Sequence, residues 1–454
     1  MELQMTLDLT DIQGLIHHSY RYPRSRHLLF TITSPSAGKK ILKFLIPRIT
    51  HAAQNLNPKP EWLLNVGISY SGLEALGLKP EILQQFPTDF REIPDPERMG
   101  DVGESIPMNW WNGKFLTPQI HLAVHLFGTT IDNLDNITEE VRQAALDNQE
   151  LRPTKDDKSI DAGAISSIEG ELHFGYRDGI SKPDVRWGDE PGIPGNIDFR
   201  HFLLGYATND IPSNPREFSA NSNSKEAALF VRNGSYSVFR WLYQDVALFN
   251  RFLLKEGTRL YPNISSNEAK ELLAAKLLGR WRDGTPLVLS PDRSNPELSN
   301  RNDFVYSTDE DGLRCPFSAH IRVTNPRDQL LDEDVGKVPH VIRRGAPFGP
   351  KLEGMQDDGI DRGLVGMFIC ANLKNQFYKL TSWMKENNFS PKFKNLHAQD
   401  PFGNRLVPDA SNEFSILTEE EPLTVNLQNF VITKGTVFFL LPSLKALNYL
   451  AYTD

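Results

Sequence analysis

HLLFTITSPSAGKKILKFLIPRIT (27–50) is the stretch from which the fold is read. Residues 27–34 are dense in β-branched and aromatic side chains, the composition of a strand. From Lys39 to Ile49 the apolar residues recur at helical spacing, interrupted by Pro47. Strand then helix is the opening of a repeated pattern. LLNVGISYS (63–71) reads as a second strand, GLEALGL (72–78) as a short helix, and QIHLAVHLFG (119–128) as a third strand. A helix is expected over 139–149, with Asn136 and Glu139 in capping-box spacing, and strand-like residues near 164–172 close a β-α-β-β-α-β series.

The C-terminal part parses in the same way. SYSVFRWLY (235–243) is a strand, helices fall within 245–254 and 267–278, and Ser265 with Glu268 forms a second capping-box pair. AHIRVT (319–324) and GLVGMFICAN (363–372) are expected strands, QFYKLTSWMKEN (376–387) an amphipathic helix, and TVFFLLPS (436–443) a nearly all-apolar strand. Two such series predict an α+β protein built from duplicated ferredoxin-like units with largely antiparallel sheets. The boundary is placed at a Gly/Pro/Asp-rich stretch, giving domains 1–174 and 175–454. Residues 175–224, 282–313 and 388–415 read as long surface excursions.

Composition narrows the function. The 454 residues carry 49 Lys+Arg against 58 Asp+Glu, a net charge of −9, which disfavours nucleic acid as a partner because phosphate binding needs a positive face. Mean hydropathy is −0.41 and no apolar run approaches ~20 residues, so no membrane span is expected. The two cysteines, Cys315 and Cys370, make no disulfide framework or zinc spacing. With no basic and apolar export signal at the start, the expected location is cytoplasmic.

Three clusters hold residues suited to chemistry. In Gly175-Tyr176-Arg177-Asp178-Gly179 one carboxylate sits between glycines at a tight turn, although Asp-Gly is also an ordinary turn dipeptide. CPFSAHIRVTNPR (315–327) sets His320 beside Arg322 and Arg327, and the plain reading of that histidine is a satisfied core residue. HVIRRGAPFG (340–349) adds Arg343 and Arg344, a pair that is more often a solvated surface feature. His121 and His125 share a strand face but have no third ligand to suggest a separate metal site.

Taken together the clusters resemble the dye-decolourising peroxidase family of haem peroxidases, whose GxxDG motif is matched by 175–179. The likeness runs from DIQGLIHHSY (11–20) through HFGYRDGISKP (173–183), NGSYSVFRWLYQDV (233–246) and AAKLLGRWRDGTPL (274–287) to KGTVFFLLPSLKALNYLA (434–451). It implies the same duplicated ferredoxin-like fold, with haem in the C-terminal half. It also implies that His320 is the proximal iron ligand, Asp178 the distal acid/base and Arg343 the distal cation, with Arg344 as the alternative. Arg327, and with it Arg322, is expected at the haem, Arg327 on a propionate, and Met367 and Phe368 near the apolar wall of the distal face. The cofactor implied is haem b (protoporphyrin IX iron), non-covalent since no CxxCH is present. The partners implied are hydrogen peroxide and aromatic electron donors, for a monomer or homo-oligomer.

These residue types suit the reaction. Neutral imidazole is a strong axial donor to iron, a carboxylate can carry a proton between two peroxide oxygens, and guanidinium stabilises the charge that builds as they separate. With reference pKa near 3.9 against ~6.5 for histidine, an aspartate base predicts activity in mild acid. The second residue after Arg343 is Gly345, where some members of the family have asparagine. The acid that should orient His320 is sought among Asp332, Glu333 and Asp334, and Trp187, Trp241 and Trp383 are aromatics that pack or conduct electrons. The leading reading is a haem-b peroxidase oxidising dyes, phenols or other aromatics. The alternatives are a haem-binding or iron-release protein without significant turnover, and a metal-independent hydrolase using Asp178.

Overall fold

The computed structural model describes residues 7–151, 159–165, 170–188, 192, 195–206, 225–332, 338–386, 390, 400–403 and 412–453. Thirteen strands lie among them. They are β1 (Arg24–Thr31), β2 (Trp62–Ile68), β3 (Leu122–Gly128), β4 (Gln149–Leu151), β5 (Ile160–Gly163), β6 (Val185–Arg186), β7 (Ile197–Asp198), β8 (Ser235–Gln244), β9 (Ile342–Phe348), β10 (Gly363–Cys370), β11 (Glu413–Ile416), β12 (Leu423–Asn426) and β13 (Val431–Leu441). Nine form one sheet in the order β4-β1-β3-β2-β13-β8-β10-β9, with β5 also paired to β1.

That order contains the same motif twice. In each half the fourth strand lies beside the first, then the third, then the second, which is the ferredoxin-like arrangement. The halves meet where β13 runs antiparallel to β2, at Leu440 opposite Ile68, and every pairing within the large sheet is antiparallel. The predicted α+β fold of duplicated ferredoxin-like units is therefore observed. The central strands explain their own composition. All seven residues of β3 are buried, so both faces must be apolar and the sequence reads as a run rather than an alternation. His125 is the exception on β3; it meets His27 on β1, with the two Nδ1 atoms 2.9 Å apart.

Some elements depart from the sequence reading. AHIRVT is a short helix, His320–Thr324, not a strand; its place in the second unit is taken by β9, whose polar Arg343-Arg344-Gly345 centre hides its strand character. The helix expected over 139–149 spans Ile131–Ala144, because Thr130 rather than Asn136 accepts the N-terminal amide bond, from Asn133. The strand sought near 164–172 is β5, ending at Gly163; residues 166–169 lie outside the described residues. The capping box of Ser265 with Glu268 is present as read and opens the helix Ser266–Leu278.

The sheet places the functional loops. The stretch Glu171–Gly179 leaves the first unit and lies against the exit of β9, where the His173 Nε2 nitrogen is 2.7 Å from the carbonyl of Phe348 and Lys351 pairs with Glu171 at 2.5 Å. His320 opens its helix beside a Phe cluster. Its ring meets Phe402 edge-on at 5.6 Å, and Phe402 packs on Phe174 and Tyr176 at 5.6 and 6.0 Å.

Candidate active site

Asp178 is fixed by its backbone. Its N–H donates to the carbonyl of Gly170 at 2.8 Å, and Arg177 N–H donates to the carbonyl of Arg282 at 3.0 Å. Gly175 has φ of +80° and Gly179 of +86°, a left-handed conformation that a residue with a side chain adopts at a cost of ~1–2 kcal/mol. The motif glycines are thus needed by the turn. The carboxylate it presents is half-exposed and lies 3.8 Å from a guanidinium nitrogen of Arg343, which also donates to the carbonyl of Ser181 at 3.1 Å.

The alternation of β9 separates the two arginines. Arg343 lies opposite Phe368 of β10 and Arg344 opposite Met367, and opposed residues share a sheet face. Phe368 therefore stands on the side of Arg343, its ring 5.6 Å from Phe377, whereas Met367 is buried in the main core opposite Phe239. Arg344 is spent elsewhere. It donates to the carbonyls of Leu15, Ile16 and His17, at the end of the helical turn Gly14–His17, and burial lowers its pKa to about 10.

His320 Nδ1 is 2.8 Å from Oδ2 of the fully buried Asp400. An ionised carboxylate only accepts, so the neutral imidazole carries its proton on Nδ1 and keeps the Nε2 lone pair for a ligand. The other oxygen of Asp400 accepts the N–H groups of Phe402 and Gly403, at 2.8 and 2.7 Å. Asp400 is the residue that sequence reasoning missed. Glu333 and Asp334 lie outside the described residues, and Asp332 is not the partner that His320 takes.

Arg327 and Arg322 part company in the structure. Arg327, with φ of +56°, donates to Asn302 Oδ1 at 2.7 Å and to the carbonyls of Asn302 and Phe304, and burial lowers its pKa. Asn302 Oδ1 also accepts the Ser181 hydroxyl at 3.1 Å, so the chain Arg327–Asn302–Ser181–Arg343 ties this group to the distal pair. Arg322 is fully buried and bound to Asp309 at 2.9 Å, with Nε on Gln329 at 3.0 Å and the carbonyls of Cys315 and Asp309 on its remaining donors. It faces Tyr306 and Phe317 instead of the group above. Its donors are satisfied within the protein.

The remaining aromatics and histidines are packed. Trp241 lies against Trp111 and Phe348, Trp383 is buried under Lys379, and Trp187 lies tilted against His17 at 4.7 Å. His121 bonds the N–H of Ile32, apart from His125, and among the described residues no group of three or more His, Cys, Asp or Glu could hold a metal ion. The donor set fits haem: His320 has its Nε2 free, and the buried guanidiniums of Arg280 and Arg327, with Nε atoms that lack acceptors, make no ion pair among the described residues.

One duplicated ferredoxin-like sheet thus carries an imidazole–carboxylate couple and a carboxylate–guanidinium couple. The sequence model described as "DyP dimeric alpha+beta barrel domain" matches residues 11–153. Peroxidase 2 of Mycetinis scorodonius is 29% identical over 97% of this chain and 87% of its own length. The solved structure of an ancestral D-type dye-decolorizing peroxidase superposes with a TM-score of 0.83 at 28% identity, covering 98% of this chain and 99% of that one. A dye-decolorizing peroxidase in complex with 2,6-dimethoxyphenol gives 0.79 at 26% identity, covering 98% and 99%. Over nearly its whole length this chain is similar to dye-decolourising peroxidases, which supports an oxidoreductase acting on peroxide.

Proposed function

We propose that this protein is a haem-b peroxidase that reduces hydrogen peroxide and oxidises dyes, phenols or other aromatic donors. The reading rests on the bond from His320 Nδ1 to the buried carboxylate of Asp400, because in the neutral tautomer that this bond selects the lone pair sits on Nε2, where iron can take it. His320 is the proximal ligand. Arg327 holds a propionate, and Phe368, on the Arg343 face of the sheet, supplies apolar wall. Residues 1–174 and 175–454 are the two ferredoxin-like domains, the second carrying the haem.

When bound, the haem supplies the two electrons that cleave the peroxide O–O bond and passes the resulting oxidising equivalents to the donor. Asp178 takes a proton from one oxygen of hydrogen peroxide and returns it to the other, which leaves as water. Arg343, 3.8 Å away, stabilises negative charge on the departing oxygen. The 2,6-dimethoxyphenol complex of the related peroxidase supports a phenolic donor.

Steady-state oxidation of 2,6-dimethoxyphenol tests the assignment. The wild type is expected to require peroxide and to work best in mild acid, and Asp178→Asn to retain the haem absorption while losing most turnover. Undiminished turnover in Asp178→Asn would remove the aspartate from the proposed role.

A further inference from the structure

Buried arginines in this molecule generally have a carboxylate. Arg322 meets Asp309 at 2.9 Å, Arg240 meets Asp101 at 2.5 Å, and Arg26 meets Asp135 and Asp161, both at 2.6 Å. Arg280 does not. Just beyond the helix Ser266–Leu278 and 3% exposed, it donates from Nη1 to the carbonyls of Gly284 and Arg301, each at 2.8 Å. Its Nη2 donates to Asn302 Oδ1 at 3.0 Å, the same oxygen that Arg327 engages at 2.7 Å. One neutral amide oxygen thus serves two guanidiniums, and neither arginine makes an ion pair among the described residues.

The surroundings compensate only in part: Tyr306, Asp303 and Asp328 act favourably on Arg327, yet burial outweighs them and no carboxylate comes within ion-pair distance of either arginine among the described residues. Both guanidiniums lie over the Phe304 ring, with Arg280 5.2 Å and Arg327 3.8 Å from its centroid. A cation over a ring gains ~0.5–2 kcal/mol, less than the several kcal/mol it costs to desolvate an ion. Burial, with Arg327 adding repulsion, pulls the pKa of Arg280 down to about 10. The Nε–H groups of Arg280 and Arg327 are both buried and find no acceptor. Two converging cations with unspent donors require an anion with several lone pairs, as a carboxylate has.

We propose that Arg280 is the second arm of a carboxylate clamp, joined to Arg327 through Asn302, and that the clamp receives a propionate of the haem. This rests on the haem reading above and extends it to a residue the family resemblance did not single out. Asn302 and the Ser181 hydroxyl, which bonds it at 3.1 Å, link the clamp to Arg343 through the Ser181 carbonyl. The clamp thereby sets the haem in register with the distal pair.

The test is haem transfer to excess apomyoglobin from wild type, Arg280→Gln and Arg280→Lys, each loaded with either haem or haem dimethyl ester. Loss of a charge-assisted bond predicts that Arg280→Gln releases haem roughly ten- to a hundredfold faster than wild type, with Arg280→Lys between them. With the diester, which offers no carboxylate, the three proteins should release at one rate. Equal haem release by wild type and Arg280→Gln would overturn the clamp, as would a defect of the same size with haem and diester. Thermal unfolding guards against a folding artefact. Arg280→Gln should lower the midpoint of the haem-loaded protein more than that of the haem-free protein, and equal lowering would make Arg280 a structural residue. A wild type that takes up neither porphyrin would remove the haem reading itself, and the clamp with it.

Discussion

Asp400 accepts from His320 through one carboxylate oxygen, at 2.8 Å, and from two backbone N–H groups through the other, although 80 residues separate it from the histidine. Each oxygen therefore has a separate task. An asparagine at 400 can keep only one of them. If its oxygen stays on the Phe402 and Gly403 amides, its NH2 faces Nδ1 and favours the imidazole tautomer protonated on Nε2, which cannot ligate iron. Asp400→Asn is expected to weaken haem retention and peroxidase activity by roughly 10–100-fold, read by haem release and turnover. Wild-type retention in this variant would show that Asp400 does not set the tautomer.

The distal pair should behave differently from the proximal couple. Asp178 and Arg343 are half-exposed and hold no part of the core together, so their loss costs chemistry and leaves the fold intact. Arg343→Leu is expected to keep the haem spectrum and the unfolding midpoint while slowing reaction with peroxide, and Asp178→Asn to do the same by roughly 10²–10⁴-fold. Stopped-flow mixing with hydrogen peroxide reads this directly, and an unchanged bimolecular rate in either variant counts against the assignment.

Acid should destabilise the protein even as it favours the reaction. Burial lowers the pKa of His27 from 6.5 to about 3, and that of His125 falls well below its usual value. His17 and His340 fall to about 4, also by burial. For each, the folded state binds a proton less readily than the unfolded chain, so the stabilisation is complete above about pH 6.5 and is lost as pH falls through the folded values. Urea midpoints should be flat near neutrality and decline progressively from pH 6.5 towards 4. A midpoint that holds constant across that range would contradict the neutral, buried state of these histidines.

Gly345 illustrates why a polar side chain two residues beyond Arg343 is absent. It pairs with Gly366, and a Cβ added at 345 would lie 2.2 Å from the carbonyl oxygen of Val365 and 3.2 Å from Gly366 Cα, both rigid backbone. Gly345→Asn is therefore expected to add no useful donor and to destabilise by about 1–3 kcal/mol through overpacking, measured by chemical denaturation. A stable variant with enhanced peroxide reactivity would mean that β9 and β10 can separate at this point.

Much of this was legible in the sequence, for identifiable reasons. The repeated β-α-β-β-α-β order follows from apolar runs such as LAVHLFG and VITKGTVFFLL, because strands buried on both faces leave a strong local signal. The turn around Asp178 is legible because its glycines are needed for positive φ. β9 was not, because its centre is Arg-Arg-Gly; its strand character comes from pairing with β10 rather than from its own side chains. For the same reason β-branched residues in HIRVT misled: a helical turn held by the Thr324 hydroxyl on the His320 carbonyl, at 2.8 Å, overrides local propensity. Asp400 and Arg280 carry no local signal at all, since what distinguishes them is a partner, or the lack of one, brought by the tertiary fold.

The central claim is that His320, held by Asp400, is the axial ligand of a haem. Absorption spectra of purified wild type and His320→Ala, supplied with haem in equal amounts, test it most directly. The account predicts a sharp Soret band in the wild type that changes on adding one equivalent of hydrogen peroxide, and its loss or strong weakening in His320→Ala with the fold preserved by circular dichroism. An identical Soret band and peroxide response in both proteins would contradict it.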